Sequence, residues 1–153
     1  MNDLQKKILD IFKTVSQLCK KNNIDYYAIG GTCIGAIRHR GFIPWDDDLD
    51  IAIPIEQFDR FKSIMNTQLP DNLYLYDCES KKEYRQLFCK VCDKSTTFIE
   101  ETEKEYPDVY KGVYIDIMPL SGVPAETNEQ IQMIKKLNLY RALNYIMRYP
   151  FLK

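Results

Sequence analysis

Between Leu4 and Cys19 the apolar residues Leu4, Ile8, Ile11, Phe12, Val15, Leu18 and Cys19 return every three or four positions, with lysines and polar residues between them. That spacing lines one face of a helix, so the chain is expected to open on an amphipathic helix that covers a sheet. Lys20-Lys21-Asn22-Asn23 closes it, Asp25 to Ile29 reads as a short strand running into a Gly30-Gly31-Thr32 turn, and a second helix is expected over Cys33 to His39. Gly41-Phe42-Ile43-Pro44 breaks that helix. The period then changes to two: Leu49, Ile51 and Ile53 alternate with Asp50 and Ala52 in a strand ended by Pro54. Helical spacing returns through Ile55, Phe58, Phe61, Ile64 and Met65, up to Leu69.

Three further strands are expected at Leu73 to Cys78, Gln86 to Cys92 and Thr97 to Glu101, followed by a charged loop from Glu103 to Lys111 and a last strand from Val113 to Met118. After a loop from Pro119 to Ala125, Thr127 and Gln130 have the spacing of a capping box opening a helix that continues to about Tyr149. These elements describe an α/β or α+β domain, a mixed sheet flanked by helices, as a single unit over 1–153 without repeats or low-complexity tracts. The final helix ends at Tyr149-Pro150-Phe151-Leu152-Lys153 with apolar and aromatic groups still to cover. That ending points to a chain shortened at its C-terminus; a helix packed wholly on its own domain is the alternative.

Composition narrows the function classes. At 153 residues, 45% of them hydrophobic and 12% aromatic, the chain can bury a real core. Its 21 basic residues nearly cancel its 22 acidic ones, so the net charge of −1 gives no bulk reason to bind nucleic acid or an anionic membrane, and any phosphate binding must be local. Charges interrupt every apolar stretch and the N-terminus lacks a signal-peptide pattern, so a cytoplasmic protein without a membrane span is expected. The five cysteines are odd in number and scattered, which favours reduced thiols over a disulfide framework. Cys89 and Cys92 have C-x-x-C spacing, but no second pair or histidine cluster stands ready to complete a zinc site.

The candidate chemistry lies in the acids. Asp46-Asp47-Asp48-Leu49-Asp50 places four carboxylates in five residues. Side chains two apart on a strand share a face, so Asp48 and Asp50 are expected to point together while Leu49, Ile51 and Ile53 turn to the core. Converging carboxylates are costly without a cation, and oxygen ligands select magnesium or manganese. A solvated acidic turn is the plain alternative. Gly30-Gly31-Thr32, between a strand and a helix, can bring backbone N–H groups close to a phosphate. Asp116 repeats the strand design within Val113-Tyr114-Ile115-Asp116-Ile117-Met118, an acid centred among apolar neighbours that needs a partner there.

The run from Tyr27 to Ile51, with Gly30-Gly31-Thr32 at its start and Trp45-Asp46-Asp47-Asp48-Leu49-Asp50 at its end, resembles the LicD family of phosphocholine transferases. Tyr114-Ile115-Asp116-Ile117-Met118-Pro119-Leu120-Ser121-Gly122-Val123-Pro124 is similar to the family's second signature, in the same order and separation. The resemblance covers most of Leu4 to Pro124, and it implies a nucleotidyltransferase-like fold. It also implies that Asp48, Asp50 and Asp116 hold the catalytic metal, Mg2+ or Mn2+, and that Gly30, Gly31, Thr32 and Arg38 meet the donor phosphates.

The implied reaction moves a phosphoalcohol from a CDP-activated donor such as CDP-choline to a hydroxyl of a glycan or teichoic-acid precursor, releasing CMP. The protein would meet the membrane only through that acceptor. Around this set, Asp46 and Asp47 are expected to fix the turn or accept hydrogen bonds from Arg38 or from backbone N–H groups. His39, the single histidine, is expected beside the site and not in it, Trp45 to pack the turn, and Lys90 to approach the acids or lie exposed on its strand. Two rivals share these residues: a nucleotidyltransferase acting on a nucleoside triphosphate, and a non-catalytic binding module.

Overall fold

The computed structural model describes residues 1–77, 86–99 and 112–148, with side chains up to 143. Two compact units divide the chain, Met1–Leu120 and Ser121–Lys153. The first holds helix α1 (Asp3–Lys21), strand β1 (Tyr27–Ala28), helix α2 (Gly30–Ile34) running into a π-helical turn (Gly35–His39), strand β2 (Asp50–Pro54), helix α3 (Ile55–Gln68) and strands β3 (Leu73–Tyr76), β4 (Cys89–Asp93) and β5 (Tyr114–Leu120). The second holds helix α4 (Thr127–Arg148). No helix among the described residues is long and apolar enough to cross a membrane.

The five strands form one mixed sheet in the order β1-β2-β5-β4-β3. Only the central pair, β2 and β5, is parallel; the other pairs are antiparallel. One face carries Ile51, Ile53, Ile115, Ile117, Val91, Leu73 and Leu75, which join Ile8, Ile11 and Val15 of α1 and Phe61, Ile64 and Met65 of α3 in a single core. Ile8, Ile11, Ile51, Ile53, Ile115 and Ile117 are each at most 2% exposed. Each contributes roughly 1.5–3 kcal/mol over an exposed side chain. The period-two alternation places the intervening residues, Asp50, Asp116 and Lys90 among them, on the opposite face. The mixed sheet flanked by helices is the expected fold class.

Several elements differ from the sequence reading for local reasons. The second helix begins three residues earlier, at Gly30, and widens into the π turn from Gly35. A Cβ on Gly35 would stand 2.5 Å from the Gly41 carbonyl oxygen. The chain reverses there through Arg40, at φ 56°, and the Gly41 N–H bonds the Gly35 carbonyl. Thr97 to Ile99 is not a strand. Asp93 Oδ1 accepts from both Ser95 N and Ser95 Oγ, and Thr96 Oγ1 accepts from Val113 N, so the chain turns where the apolar pattern suggested extension. Gln130 makes no capping box with Thr127; its amide donates to the Pro124 carbonyl. A capping box does open α1, with Asn2 Oδ1 accepting from Gln5 N and Gln5 Oε1 accepting from Asn2 N. Cys78, Glu101, the 103–111 loop and the end of the last helix at Tyr149 lie outside the described residues.

Cys89 packs in the core under α1 and α3, whereas Cys92 clusters with Tyr76 on the opposite face. Positions three apart on a strand face opposite ways, so this C-x-x-C pair does not converge on one ion. Burial, the leading cause, pushes the Cys89 thiol above its ordinary range and the Cys19 thiol up to about 11.

Candidate active site

The site is built at the start of β2. Residues 46–49 lead in without regular secondary structure, and the strand begins at Asp50. Both backbone groups of Asp50 are held by the glycine turn: its N–H donates to Thr32 Oγ1 at 2.8 Å and its carbonyl accepts from Ile29 N at 3.3 Å. Gly30 lies in left-handed backbone, φ 53°, and a Cβ there would meet Asp50 Oδ2 at 3.3 Å. A Cβ on Gly31 would meet Asp46 Oδ2 at 2.9 Å. The glycines therefore leave room for carboxylates, and the Thr32 hydroxyl is engaged with the strand itself.

Gln5 of α1 fixes the acidic segment from behind. Its side chain is 2% exposed, and its Nε2 donates to the carbonyls of Asp46 (2.9 Å), Ile43 (3.1 Å) and Pro44 (3.4 Å). Sequence spacing does not reveal this contact, because the partners lie some forty positions away; the N-terminal Asn-x-x-Gln spacing is the one local signal. Lys7 of the same helix pairs with Asp93 Oδ2 at 2.7 Å, tying α1 to the end of β4.

Parallel pairing sets Asp50 opposite Asp116, and antiparallel pairing sets Asp116 opposite Lys90 and Lys90 opposite Tyr76. These four side chains form one row across the sheet. Lys90 Nζ lies 3.8 Å from Asp116 Oδ1 and 3.4 Å from the centroid of the Tyr114 ring. The lysine therefore faces the acids and is not an exposed strand lysine. Burial and then the charges of Asp50, Asp46 and Asp47 push the half-buried Asp48 carboxyl up to about 6. Asp50 is also raised, by burial and by Asp46, against a pull downward from Lys90.

The other candidates stand apart from the row. Arg38 and His39 are exposed, and Arg38 Nε donates to His39 Nδ1 at 3.3 Å. Trp45 is 79% exposed and meets the His39 ring edge to face, 6.4 Å between centroids, so it does not pack the turn as expected. Its neighbours Pro44 and Asp46 are turned by the Asp46 N–H to Ile43 carbonyl bond, which leaves the indole outside. Asp47 is exposed. A mostly apolar cavity of about 640 Å³ lies between α1 and the π turn; of the site residues it touches Thr32 and Asp46.

Asp48, Asp50 and Asp116 offer oxygen atoms only, the donor chemistry of a hard divalent cation, and such a cation would relieve the repulsion that adds to burial in raising Asp48. Among the described residues no three His, Cys, Asp or Glu side chains are already drawn into a metal cage. The chemistry of the donor set fits the ion; Asp50 and Asp116 stand as sheet neighbours, with Asp48 just ahead of the strand.

Comparison with known proteins sets this geometry in a family. The family described as LicD/FKTN/FKRP, nucleotidyltransferase domain, matches residues 23–135, a span that contains all three acids. The lipopolysaccharide cholinephosphotransferase LicD of Haemophilus influenzae is 30% identical over 137 residues, 89% of this chain and 50% of that protein. An uncharacterized protein of Rickettsia typhi is 45% identical over 64 residues, 40% of this chain and 21% of its own length. Mannosyltransferase regulator 4 of Saccharomyces cerevisiae is 25% identical over 134 residues, 84% of this chain and 11% of its own. The chain thus spans half the length of the Haemophilus relative and less of the others. The resemblance carried by Tyr27 to Ile51 and Tyr114 to Pro124 is borne out, and the chain belongs to the LicD/FKTN/FKRP family through its nucleotidyltransferase domain.

Proposed function

We propose that this chain is the metal-dependent catalytic portion of a phosphoalcohol transferase that moves phosphocholine, or a similar group, from a CDP-activated donor to a glycan hydroxyl. The observation that carries the reading is the row of Asp50 and Asp116 on paired strands with Asp48 beside it, set against a glycine turn. The likeness to a lipopolysaccharide cholinephosphotransferase supports the choice of transferred group and the class of acceptor; a teichoic-acid precursor offers the same kind of hydroxyl.

In this reading Asp48, Asp50 and Asp116 hold Mg2+ or Mn2+. The ion supplies charge stabilisation for the phosphoryl oxygens of the donor. The acceptor hydroxyl oxygen forms a bond to the phosphorus that bears the alcohol, the bond from that phosphorus to the bridging oxygen breaks, and CMP leaves with the electron pair. The hydroxyl proton passes to a carboxylate of the row, with Asp116 assigned this duty or the orientation of the nucleophile's side of the site. Gly30 and Gly31 let the donor approach the strand end, and Arg38, on the exposed turn beyond α2, is assigned to the donor phosphates. The protein works in the cytoplasm and reaches the membrane only through its acceptor.

The test incubates the protein, extended to the length of its relatives, with CDP-choline, CDP-ribitol or CDP-glycerol, Mg2+ and a lipopolysaccharide or teichoic-acid acceptor. CMP release with a modified acceptor is expected, and Asp50→Asn or Asp116→Asn should lower turnover by at least about a thousandfold, the scale of losing a charged group from the reacting centre. Pyrophosphate released from a nucleoside triphosphate would replace this reading with nucleotidyl transfer. If no donor gives product and none raises the melting temperature, the chain is a binding module and not an enzyme.

A further inference from the structure

Lys90 is the one residue of the cross-sheet row with a positive charge, and its place is unusual for a lysine. Its side chain is 6% exposed and that of its neighbour Asp116 is 14% exposed. Removing an ammonium from water this completely is costly unless opposing groups offset the loss. Two are in place: the Asp116 carboxylate at 3.8 Å and the face of the Tyr114 ring at 3.4 Å. The ring fixes the ammonium from one side, as a cation over an aromatic face, so that its charge is held at one point on the sheet.

That point lies within electrostatic reach of more than one acid. Asp116 is the direct cross-strand partner of both Lys90 and Asp50, and the Lys90 charge also pulls on the Asp50 carboxyl against burial and Asp46. Its burial keeps Lys90 from working as a solvent-facing phosphate hook, so its effect passes through the acids. Three carboxylates at Asp48, Asp50 and Asp116 carry −3 when ionised; with Lys90 the set carries −2, the charge that one divalent cation neutralises.

We propose that Lys90 is a positioning residue of the metal site: a fixed internal cation against Asp116 that weakens the acid row's grip on a divalent ion to the level of a single exchangeable one. The inference rests on the metal-dependent reading above. Its distinctive consequence is a sign. Removing Lys90 takes away repulsion toward the ion while sheet pairing still sets Asp116 opposite Asp50, so divalent cations should bind more tightly, and turnover falls because the ion is held too tightly to exchange. A residue that served only to hold the fold would, on removal, loosen the site and weaken the ion.

Mn2+ binding to the wild type, Lys90→Met and Lys90→Gln, followed by the electron paramagnetic resonance signal of the free ion, separates these outcomes. Both neutral variants are expected to bind Mn2+ about tenfold more tightly, as loss of one nearby unit charge implies. Lys90→Gln keeps a polar end on the side chain, and it carries the test if Lys90→Met does not fold. Unchanged or weaker binding in the folded variants, with the wild type binding Mn2+, overturns the role of Lys90 and leaves the metal site standing. Failure of the wild type itself to bind Mn2+ at millimolar concentration overturns the metal-dependent reading and this inference with it.

Discussion

At the scale of single residues, the aspartates of this domain pull its pH dependence in opposite directions. Asp48 ionises ordinarily at 3.8 but at about 6 in the folded chain. Between those values the folded protein keeps a proton that the unfolded chain has lost, so stability falls as pH rises from about 4 through 6. Asp50 is raised too and acts with the same sign. Asp93 acts the other way: burial pushes it up, but the bonds from Lys7 and Ser95 together outweigh burial and hold it below its ordinary value. Its contribution is complete above pH 3.8 and is lost as pH falls through its folded value. In chelator the melting temperature should therefore decline between about pH 4 and 6.5, and Asp48→Asn should flatten that decline while sparing the acid limb. A thermal-shift series across pH checks this; an unchanged slope in Asp48→Asn would show that Asp48 is not the carboxyl that burial and its neighbours keep protonated. Mg2+ should raise the melting temperature more at pH 7.5 than at pH 5, because it binds the ionised acids. These acids were readable in the sequence, since a carboxylate centred on a period-two apolar strand is costly there unless a partner or an ion meets it. Lys90 was half readable: its strand was evident, its register against Asp116 was not.

At the scale of elements, the contact that decides the site's shape is between a helix N-terminus and a loop. Gln5 closes the α1 capping box and with the same side chain bonds the carbonyls that lead into the acids. Gln5→Leu leaves the Ile43 and Asp46 carbonyls without that donor and opens the cap, and should cost about 3 kcal/mol, the sum of a lost buried hydrogen-bond pair and a lost cap. Asn2→Ala removes the cap alone and should cost about 1 kcal/mol. Urea unfolding of the two variants measures the difference; equal costs would mean that Gln5 serves the helix and not the acidic loop. The sequence could not show this clamp, because hydrophobic periodicity reports which face of a helix is buried but not which polar group is buried with it. The same limit explains the other departures. Thr97 to Ile99 has the composition of a strand, yet the hydroxyls and carboxylate of Asp93, Ser95 and Thr96 bind nearby backbone and turn the chain first. Cys33 to His39 has helical spacing, yet Gly35 must pass within van der Waals contact of Gly41, and the helix widens to allow it.

At the scale of the whole chain, the core and the site belong to one unit. Every buried apolar residue among those described lies between Ile8 and Ile117, and no described residue after Leu120 is buried. The five strands, the Gln5 clamp, the Lys7–Asp93 pair and all three acids fall within Met1–Leu120. In α4 the large apolar residues Ile131, Ile134, Leu137, Leu139, Tyr140 and Leu143 are each at least 45% exposed. Met1–Leu120 thus holds the whole buried core of the described residues, and the stability of the fold is expected to come from that unit. A chain ended after Pro124 should accordingly fold on its own and unfold in one cooperative step, with a melting temperature within about 5 °C of the longer chain, the shift expected for roughly 1 kcal/mol in a domain of this size. Far-UV circular dichroism during heating, with Mn2+ binding measured on the same sample, tests both halves of the statement. The shortened chain should keep the ion affinity of the full one, because none of the three acids or Lys90 has been removed. A fall of more than about 10 °C, or loss of the cooperative transition, would assign α4 a share in holding the sheet together; retained folding with lost Mn2+ binding would assign the segment after Leu120 a share in the metal site instead.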